Sequence, residues 1–283
     1  MNSTLKSCIL AARPKTLPAA IVPVWLGCML AWRMTEKFDA WLALCTLMGA
    51  VWIQIGTNFF NDAIDNDKGA DTESRLGPVR ATASGLLTRG QVYGAAVLCL
   101  MIAAVFGWFL FEARGWTMVA IGLPSFYLCY GYTGGPVPLA YRGLGEIFVI
   151  LFFGLVAVMG TIFVQLGTWP VEGALLGLQA GLLSAVLISI NNLRDREEDA
   201  TNDKNTLAVK LGETWGKRVV CWEIFGAFAL SLVWYLLGYG YLWIGSMLFL
   251  PLGLKIWSLV RNEMPSAKYN KYLALGGIQL ILF

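Results

Sequence analysis

From Ala40 to Thr57 the chain carries no charged side chain, and it then runs straight into Asn58-Phe-Phe-Asn61-Asp62-Ala-Ile-Asp65-Asn-Asp67-Lys68-Gly69-Ala-Asp71, with Arg75 and Arg80 beyond. An apolar run that ends in amides and carboxylates constrains the fold strongly, because ionisable groups at membrane depth are costly and mark function. The pattern recurs 130 residues later, from Asp65 to Asp195. There the apolar stretch Leu182 to Ile190 leads into Asn191-Asn192-Leu-Arg194-Asp195-Arg196-Glu197-Glu198-Asp199, followed by Asp203 and Lys204. Any fold for this chain has to place two such clusters, each at the end of an apolar helix.

Composition makes those helices membrane spans. Charged residues are 14% and hydrophobic residues 57% of the 283, against about 25% charged in soluble domains. A spanning helix needs about 20 mostly apolar residues. Runs of this kind cover 16–32, 40–61, 90–111, 115–133, 145–166, 171–193, 219–237, 241–257 and 272–283. The expected fold is therefore all-α and integral to the membrane, with about nine helices around a central cavity. The last run is short for a span. Residues 1–15 lack an apolar core long enough for a cleavable signal. Of the 21 Lys and Arg, only Arg33, Lys37 and Arg114 fall on the side opposite the N-terminus. That bias predicts a cytoplasmic N-terminus, and it puts both acidic clusters on the cytoplasmic side. One domain, 1–283, is expected, with two acidic-motif halves at about 12–133 and 143–283. Two units of like polarity would set the clusters face to face.

The residue types limit the chemistry. There is no histidine, which excludes His-based triads and His-ligated metals. The six cysteines are scattered without a C-x-x-C pair and read as small apolar side chains. Proton transfer then falls to carboxylates and metal binding to oxygen. Asn191, Asp195 and Asp199 are four apart, and Asn58, Asn61 and Asp65 follow at i, i+3 and i+7, so each set stacks along one helix face. Asp62 is the neighbouring option, and Asp71, past Gly69, belongs to the loop. Oxygen-only donors suit Mg²⁺ or Mn²⁺, and Mg²⁺ typically shares one or two carboxylates with phosphate oxygens. Lys68, Arg75 and Arg80 after the first cluster, and Arg194, Arg196 and Lys204 around the second, supply anion partners. Asp67, Glu73, Glu197 and Glu198 read as solvated helix ends.

A diphosphate held between acidic walls, with the rest of the molecule in the membrane, is a polyprenyl diphosphate. Its departure leaves an allylic cation, which aromatic faces stabilise. Tyr127, Tyr130, Tyr132 and Tyr141 gather around Gly134-Gly135-Pro136 on the same side as the acids.

These residues resemble the UbiA superfamily of intramembrane prenyltransferases, whose pattern is N-D-x-x-D-x-x-x-D after the second helix and D-x-x-x-D after the sixth. Asn61-Asp62-x-x-Asp65 matches the first three positions; residue 69 is Gly, and Asp71 follows two places later. Lys68-Gly69-Ala70-Asp71 is similar to the 1,4-dihydroxy-2-naphthoate branch, which serves menaquinone biosynthesis. So are Ala12-Arg13-Pro14-Lys15-Thr16-Leu17-Pro18-Ala19, the Tyr132-to-Glu146 stretch and Asp203-to-Gly212.

The resemblance implies Mg²⁺-dependent transfer of a polyprenyl group to dihydroxynaphthoate at its carboxyl-bearing carbon, with loss of carbon dioxide and diphosphate. It implies Asp65 and Asp195 as the residues catalysis depends on. Metal would be held by a set drawn from Asn61, Asp62, Asp65, Asp71, Asn191, Asp195 and Asp199. Lys68, Arg75, Arg80, Lys204, Arg13 and Arg142 would bind diphosphate. Tyr130, Tyr132 and Tyr141 would line the cation and acceptor pocket. The expected partners are a polyprenyl diphosphate, an aromatic acid acceptor and the lipid bilayer, with no nucleic acid; the implied location is a bacterial inner membrane. The base for the acceptor hydroxyl is not evident in the sequence; with no histidine, a carboxylate or an already ionised acceptor is required. Rival readings are another acceptor (homogentisate, a chlorin, haem), a phospholipid phosphotransferase, whose Asp motifs are contiguous, and a cation or proton transporter, which needs polar residues toward the outer side.

Overall fold

The structure is a computed structural model, and it describes residues 3–70, 76–78 and 80–283. Among the described residues every regular element is helical. A short helix, α1 (Ser3–Ala12), precedes α2 (Pro18–Thr35), α3 (Ala40–Asp67), α4 (Arg89–Arg114) and α5 (Trp116–Gly131). The second half contains α6 (Gly145–Leu166), α7 (Val171–Arg194), the short α8 (Arg196–Thr201), α9 (Leu207–Leu236), α10 (Gly240–Asn262) and α11 (Tyr269–Leu282). Seven of these are long and apolar enough to cross a bilayer; α5 and α11, at 16 and 14 residues, are shorter. The chain is a multi-pass membrane protein. Trp25, Trp108, Trp116 and Trp222 are each more than half exposed on the outside of the bundle, as lipid-facing aromatics are.

The nine apolar runs correspond to the long helices, and the differences lie at their ends. Helix α3 does not stop at residue 61 but continues to Asp67. Its 28 residues extend ~42 Å, beyond the ~30 Å hydrocarbon core, so the last turns carry the acidic motif clear of the apolar layer. Asp39 caps α3 by accepting the Leu42 N–H at 2.9 Å, and Thr88 with Gln91 forms a capping box on α4. The last helix begins at Tyr269, before Lys271, because Tyr269 is fully buried against α10.

Small residues and buried amides lock the second half. A Cβ on Gly154 would lie 2.3 Å from the Gly177 carbonyl and 2.6 Å from the Gly181 Cα, so α6 and α7 touch backbone to backbone, the usual close approach of membrane helices. At that contact α6 widens into a π-helix, Ile150–Val156, a distortion enriched at functional sites. Gln179 on α7 donates to the Ala227 carbonyl at 2.9 Å and to Ser231 at 2.8 Å, and accepts from Trp234 at 2.7 Å, pinning α7 to α9. Between α3 and α5 on one side and α6 and α7 on the other, with α2 closing the gap, lies the cavity.

Candidate active site

The cavity, about 440 Å³, carries its charged side chains at one end. At that end stand Arg13, Asn58, Asn61, Asp65, Arg80, Glu146, Asn191, Asn192 and Lys204. Its lining reaches back along α3 from Asp65 to Thr46, or ~28 Å at 1.5 Å per residue. The far part is walled by Gly49, Ala50, Ala103, Gly107, Gly122 and Gly160. Thr46, Ser125 and Thr161 lie here too, but each hydroxyl donates to the carbonyl four residues back on its own helix. That part of the wall is therefore apolar in effect.

At the polar end, Asp65 is the hub of the first acidic motif. It is buried; Arg80 donates to its Oδ2 at 2.8 Å and Tyr141 to its Oδ1 at 2.9 Å. Lys68 Nζ sits 3.7 Å above the Tyr141 ring and donates to the Thr133 carbonyl at 2.7 Å; Lys204 approaches the same ring from 5.8 Å. Burial pulls the Lys68 ammonium down, opposed by Asp65 and reinforced by Lys204. Asn61 pairs with the Thr133 hydroxyl. Asn58 donates to the Ala12 carbonyl at 2.8 Å and to Thr16 at 2.9 Å. Those bonds fix the turn that carries Arg13, itself left-handed at φ 49°.

The second motif comes across from α7. Asp195 lies in the junction between α7 and α8, so the helix is interrupted there. The i to i−4 spacing survives: Asp195 N–H donates to Asn191 and Asp199 N–H to Asp195. Arg194, buried, grips both Asp195 oxygens at 2.6–2.7 Å, the Asn191 amide oxygen at 2.8 Å and Asn270 at 2.6 Å. It is therefore a brace for the acids and not the phosphate ligand its place in the motif suggests. Asp199 is buried beside Lys204 at 3.3 Å, and its Oδ2 has no hydrogen-bond partner among the described residues. Burial pushes its carboxyl up to about 6; Lys204 pulls it down, and Asp195 and Asp65 push it up. Tyr141 donates to Asp65, and Lys204 lies 5.8 Å from the Tyr141 ring and 3.3 Å from Asp199, so the two acidic helix ends meet.

The structure gives the remaining expected site residues differing surroundings. Asp62 faces away from the cavity. Its carboxylate accepts the Ala81 N–H at 3.0 Å, the Thr82 N–H at 2.8 Å and the Thr82 hydroxyl at 2.6 Å, and so anchors the turn that begins at Arg80. Arg142 is exposed and reaches only the Pro136 carbonyl at 3.3 Å. Tyr130 is 41% exposed and packs edge-on against Phe60, outside the cavity. Tyr132 lines the cavity, whereas Tyr141 acts through Asp65. Asp71 and Arg75 lie outside the described residues. Among the described residues no three acidic or sulfur side chains converge as a ready metal cage. Sequence reasoning gave no role to Glu146, which is buried at the start of α6, lines the cavity and accepts from Asn192 at 2.8 Å. Its signal was a lone carboxylate opening an otherwise apolar run.

Arg13, Arg80 and Lys204 line the polar end of the cavity, and apolar side chains line the rest. The chain is 40% identical over 203 residues to the 1,4-dihydroxy-2-naphthoate octaprenyltransferase of Mycobacterium tuberculosis, covering 71% of this chain and 68% of that one. It is 35% identical over 228 residues to the enzyme of the same name from Haemophilus influenzae, covering 78% and 74%. Its fold matches the solved structure of a UbiA homologue from Archaeoglobus fulgidus bound to DMAPP and Mg²⁺, with a TM-score of 0.71 at 13% identity over 98% of this chain and 97% of that one. The family model described as the UbiA prenyltransferase family matches residues 20–278, nearly the whole helical bundle, and the chain belongs to that family.

Proposed function

We propose that the protein transfers a polyprenyl group from a polyprenyl diphosphate to 1,4-dihydroxy-2-naphthoate, releasing diphosphate and carbon dioxide and giving a demethylmenaquinol. The observation that carries this reading is the division of a cavity ~28 Å long into a basic and acidic mouth and an apolar groove. It suits a substrate that is a diphosphate at one end and hydrocarbon at the other. The acceptor is assigned from the relatives' names, and the groove accommodates long prenyl chains.

The donor set fits a divalent metal. Asp199 presents a buried oxygen without a partner, next to other carboxylates, and every candidate ligand is a hard oxygen donor. Asn61 and Asp65 from α3, and Asn191, Asp195 and Asp199 from the α7 end, would hold Mg²⁺, with Asp71 completing the first wall; Mn²⁺ suits the same donors. Bound metal would neutralise charge on the departing diphosphate. Arg13, Arg80 and Lys204 hold the phosphate oxygens, with Lys68 beside them and Arg75 as a further candidate. Arg80 serves both anions, because its bond to Asp65 fixes the guanidinium at the mouth. Tyr132 faces the carbon that becomes cationic, and its ring offers electron density without a strong nucleophile. The apolar groove keeps water from that carbon. The mouth opens to the cytosol of a bacterial inner membrane, with the N-terminus on the same side, and the two halves act as one domain.

The test is an assay of purified protein in detergent with dihydroxynaphthoate, a polyprenyl diphosphate and Mg²⁺, with product read by mass. Asp65→Ala and Asp195→Ala lose at least ~10²-fold in rate, and chelation abolishes turnover. Diphosphate release with homogentisate but none with dihydroxynaphthoate refutes the acceptor; no diphosphate release with any aromatic acceptor refutes the reaction class.

A further inference from the structure

We propose that Glu146 is the group that receives the acceptor: its carboxylate takes the proton of the ring hydroxyl beside the carbon being alkylated, and returns it once carbon dioxide has left. This rests on the acceptor reading above and deepens it. Glu146 is 4% exposed, in the first turn of α6, and lines the cavity. Asn192 donates to its Oε1 at 2.8 Å, and its Oε2 is buried with no hydrogen-bond partner among the described residues. A carboxylate at the edge of a membrane cavity, oriented through one oxygen with the other left over, is a costly arrangement to keep without a use. The free oxygen requires a donor from what enters the cavity. A diphosphate is a poor donor to a carboxylate, because both are anions and repel. A phenolic hydroxyl is a good one.

The surroundings suit a flat ring. Phe148 and Phe152, one turn and two turns into α6, line the same cavity with their rings 6.1 Å apart and 11° from parallel. The second of them lies on the π-helical stretch whose backbone is wedged against α7. A Cβ on Gly145 would lie 2.8 Å from the Tyr132 hydroxyl, so the start of α6 that carries Glu146 adjoins Tyr132, and both residues line the cavity. An acceptor with its hydroxyl on Glu146 would present an electron-rich ring carbon toward the groove.

The chemistry balances with no added reagent. The allylic carbon–oxygen bond breaks and its electron pair leaves with diphosphate. The ring carbon bearing the carboxylate supplies the pair for the new carbon–carbon bond. The adjacent hydroxyl becomes a ring carbonyl as its proton moves to Glu146 Oε2. The resulting β-keto acid loses carbon dioxide, its bonding pair passes to the carbonyl oxygen, and that oxygen takes the proton back from Glu146. Glu146 ends as it began, and no proton is gained or lost overall.

The experiment uses the full chain in detergent, with dihydroxynaphthoate, a polyprenyl diphosphate and saturating Mg²⁺ under anaerobic conditions. Glu146→Gln lowers kcat by ~10²-fold or more, the usual contribution of a positioned base, and leaves KM for the prenyl diphosphate and half-saturation for Mg²⁺ within about threefold of wild type. The deficit narrows as pH is raised through ionisation of the acceptor hydroxyls, since an ionised acceptor needs no base. Glu146→Asp, which keeps the charge, recovers at least tenfold over Glu146→Gln, and it carries the test if the Gln variant does not fold. Either a kcat for Glu146→Gln within threefold of wild type or a Glu146→Asp variant no better than Gln overturns the proposal. So does a deficit that is equal at every pH, or one that appears in the KM for prenyl diphosphate or in the Mg²⁺ requirement. Wild type that makes no product with dihydroxynaphthoate refutes the acceptor reading instead, and the two failures are told apart by that control.

Discussion

Asp62 stands in the middle of the acidic motif, yet its oxygens are engaged by a turn and not by the cavity, and this has a measurable consequence. Asp62→Ala removes the acceptor of two backbone N–H groups and one hydroxyl at 2.6–3.0 Å. Hydrogen bonds to a charged partner contribute about 1.5–3 kcal/mol each. The freed groups can reach water if the turn swings out, so the three together hold the turn by roughly 3 kcal/mol rather than by their full sum. That shifts the docked fraction of the turn by about two powers of ten. Arg80, which opens the turn and is only 6% exposed beside Asp65, is lost from the mouth with it. The helices stay packed, because the Asp62 carboxylate bonds to the turn at 81–82, which lies between helices. The expected result is a kcat/KM for prenyl diphosphate down ~10²-fold, an unchanged Mg²⁺ half-saturation, and new tryptic cleavage after Arg80 in otherwise folded protein. If excess Mg²⁺ restores wild-type rate to Asp62→Ala, or if Arg80 stays protected from trypsin, Asp62 is a metal ligand and the reasoning is wrong.

Other substitutions separate the members of the site in the same way. Arg80→Ala breaks a buried ion pair with Asp65, typically a loss of about 3–5 kcal/mol, and lowers kcat/KM at least as much as Asp62→Ala; Arg142→Ala, at an exposed position, stays within about threefold in the same assay. Gly154→Ala places a methyl 2.3 Å from the Gly177 carbonyl and costs about 1–3 kcal/mol or more, seen as a lower melting midpoint in detergent. Gly49→Ala, which meets nothing within 4 Å, leaves that midpoint unchanged. Gln179→Leu removes three buried bonds between α7 and α9, each worth about 0.6 kcal/mol in a membrane, and lowers the midpoint with KM unaffected.

What could be read from the sequence follows from which forces are local. The spans were legible because the bilayer sets their length and composition. The meeting of the two acidic clusters followed from their equal polarity on α3 and α7. Which oxygen faces which partner was not legible, because adjacent residues on a helix differ by 100° in direction, and long-range partners decide which of them is used. Asp62 and Asp65 are both buried carboxylates of one motif, but Asp62 meets the backbone at 81–82 and Asp65 meets Arg80 and Tyr141. Arg194 and Lys204 both flank the second motif, but only Lys204 reaches the cavity, since Arg194 is consumed by Asn191, Asp195 and Asn270. No role for Glu146 is legible in the sequence, because its Asn192 partner is 46 residues away and its spare oxygen is a property of packing alone.

The same observations bear on why the site has two acidic walls rather than one. Asp65 already has a fixed cation in Arg80, whereas Asp199 keeps a buried oxygen without a partner beside Lys204. Burial, with Asp195 and Asp65 nearby, also raises the Asp199 carboxyl to about 6. Asp65 and Asp199 would hold a divalent metal between them, and that metal would supply the positive charge that a diphosphate and the second wall both call for, so the mouth would be complete only with the donor present. An acceptor on Glu146 then meets an activated prenyl group and not a bare pair of carboxylates. That order predicts that prenyl diphosphate and Mg²⁺ bind cooperatively to acceptor-free enzyme. Titration calorimetry that finds either one binding equally well without the other would refute it.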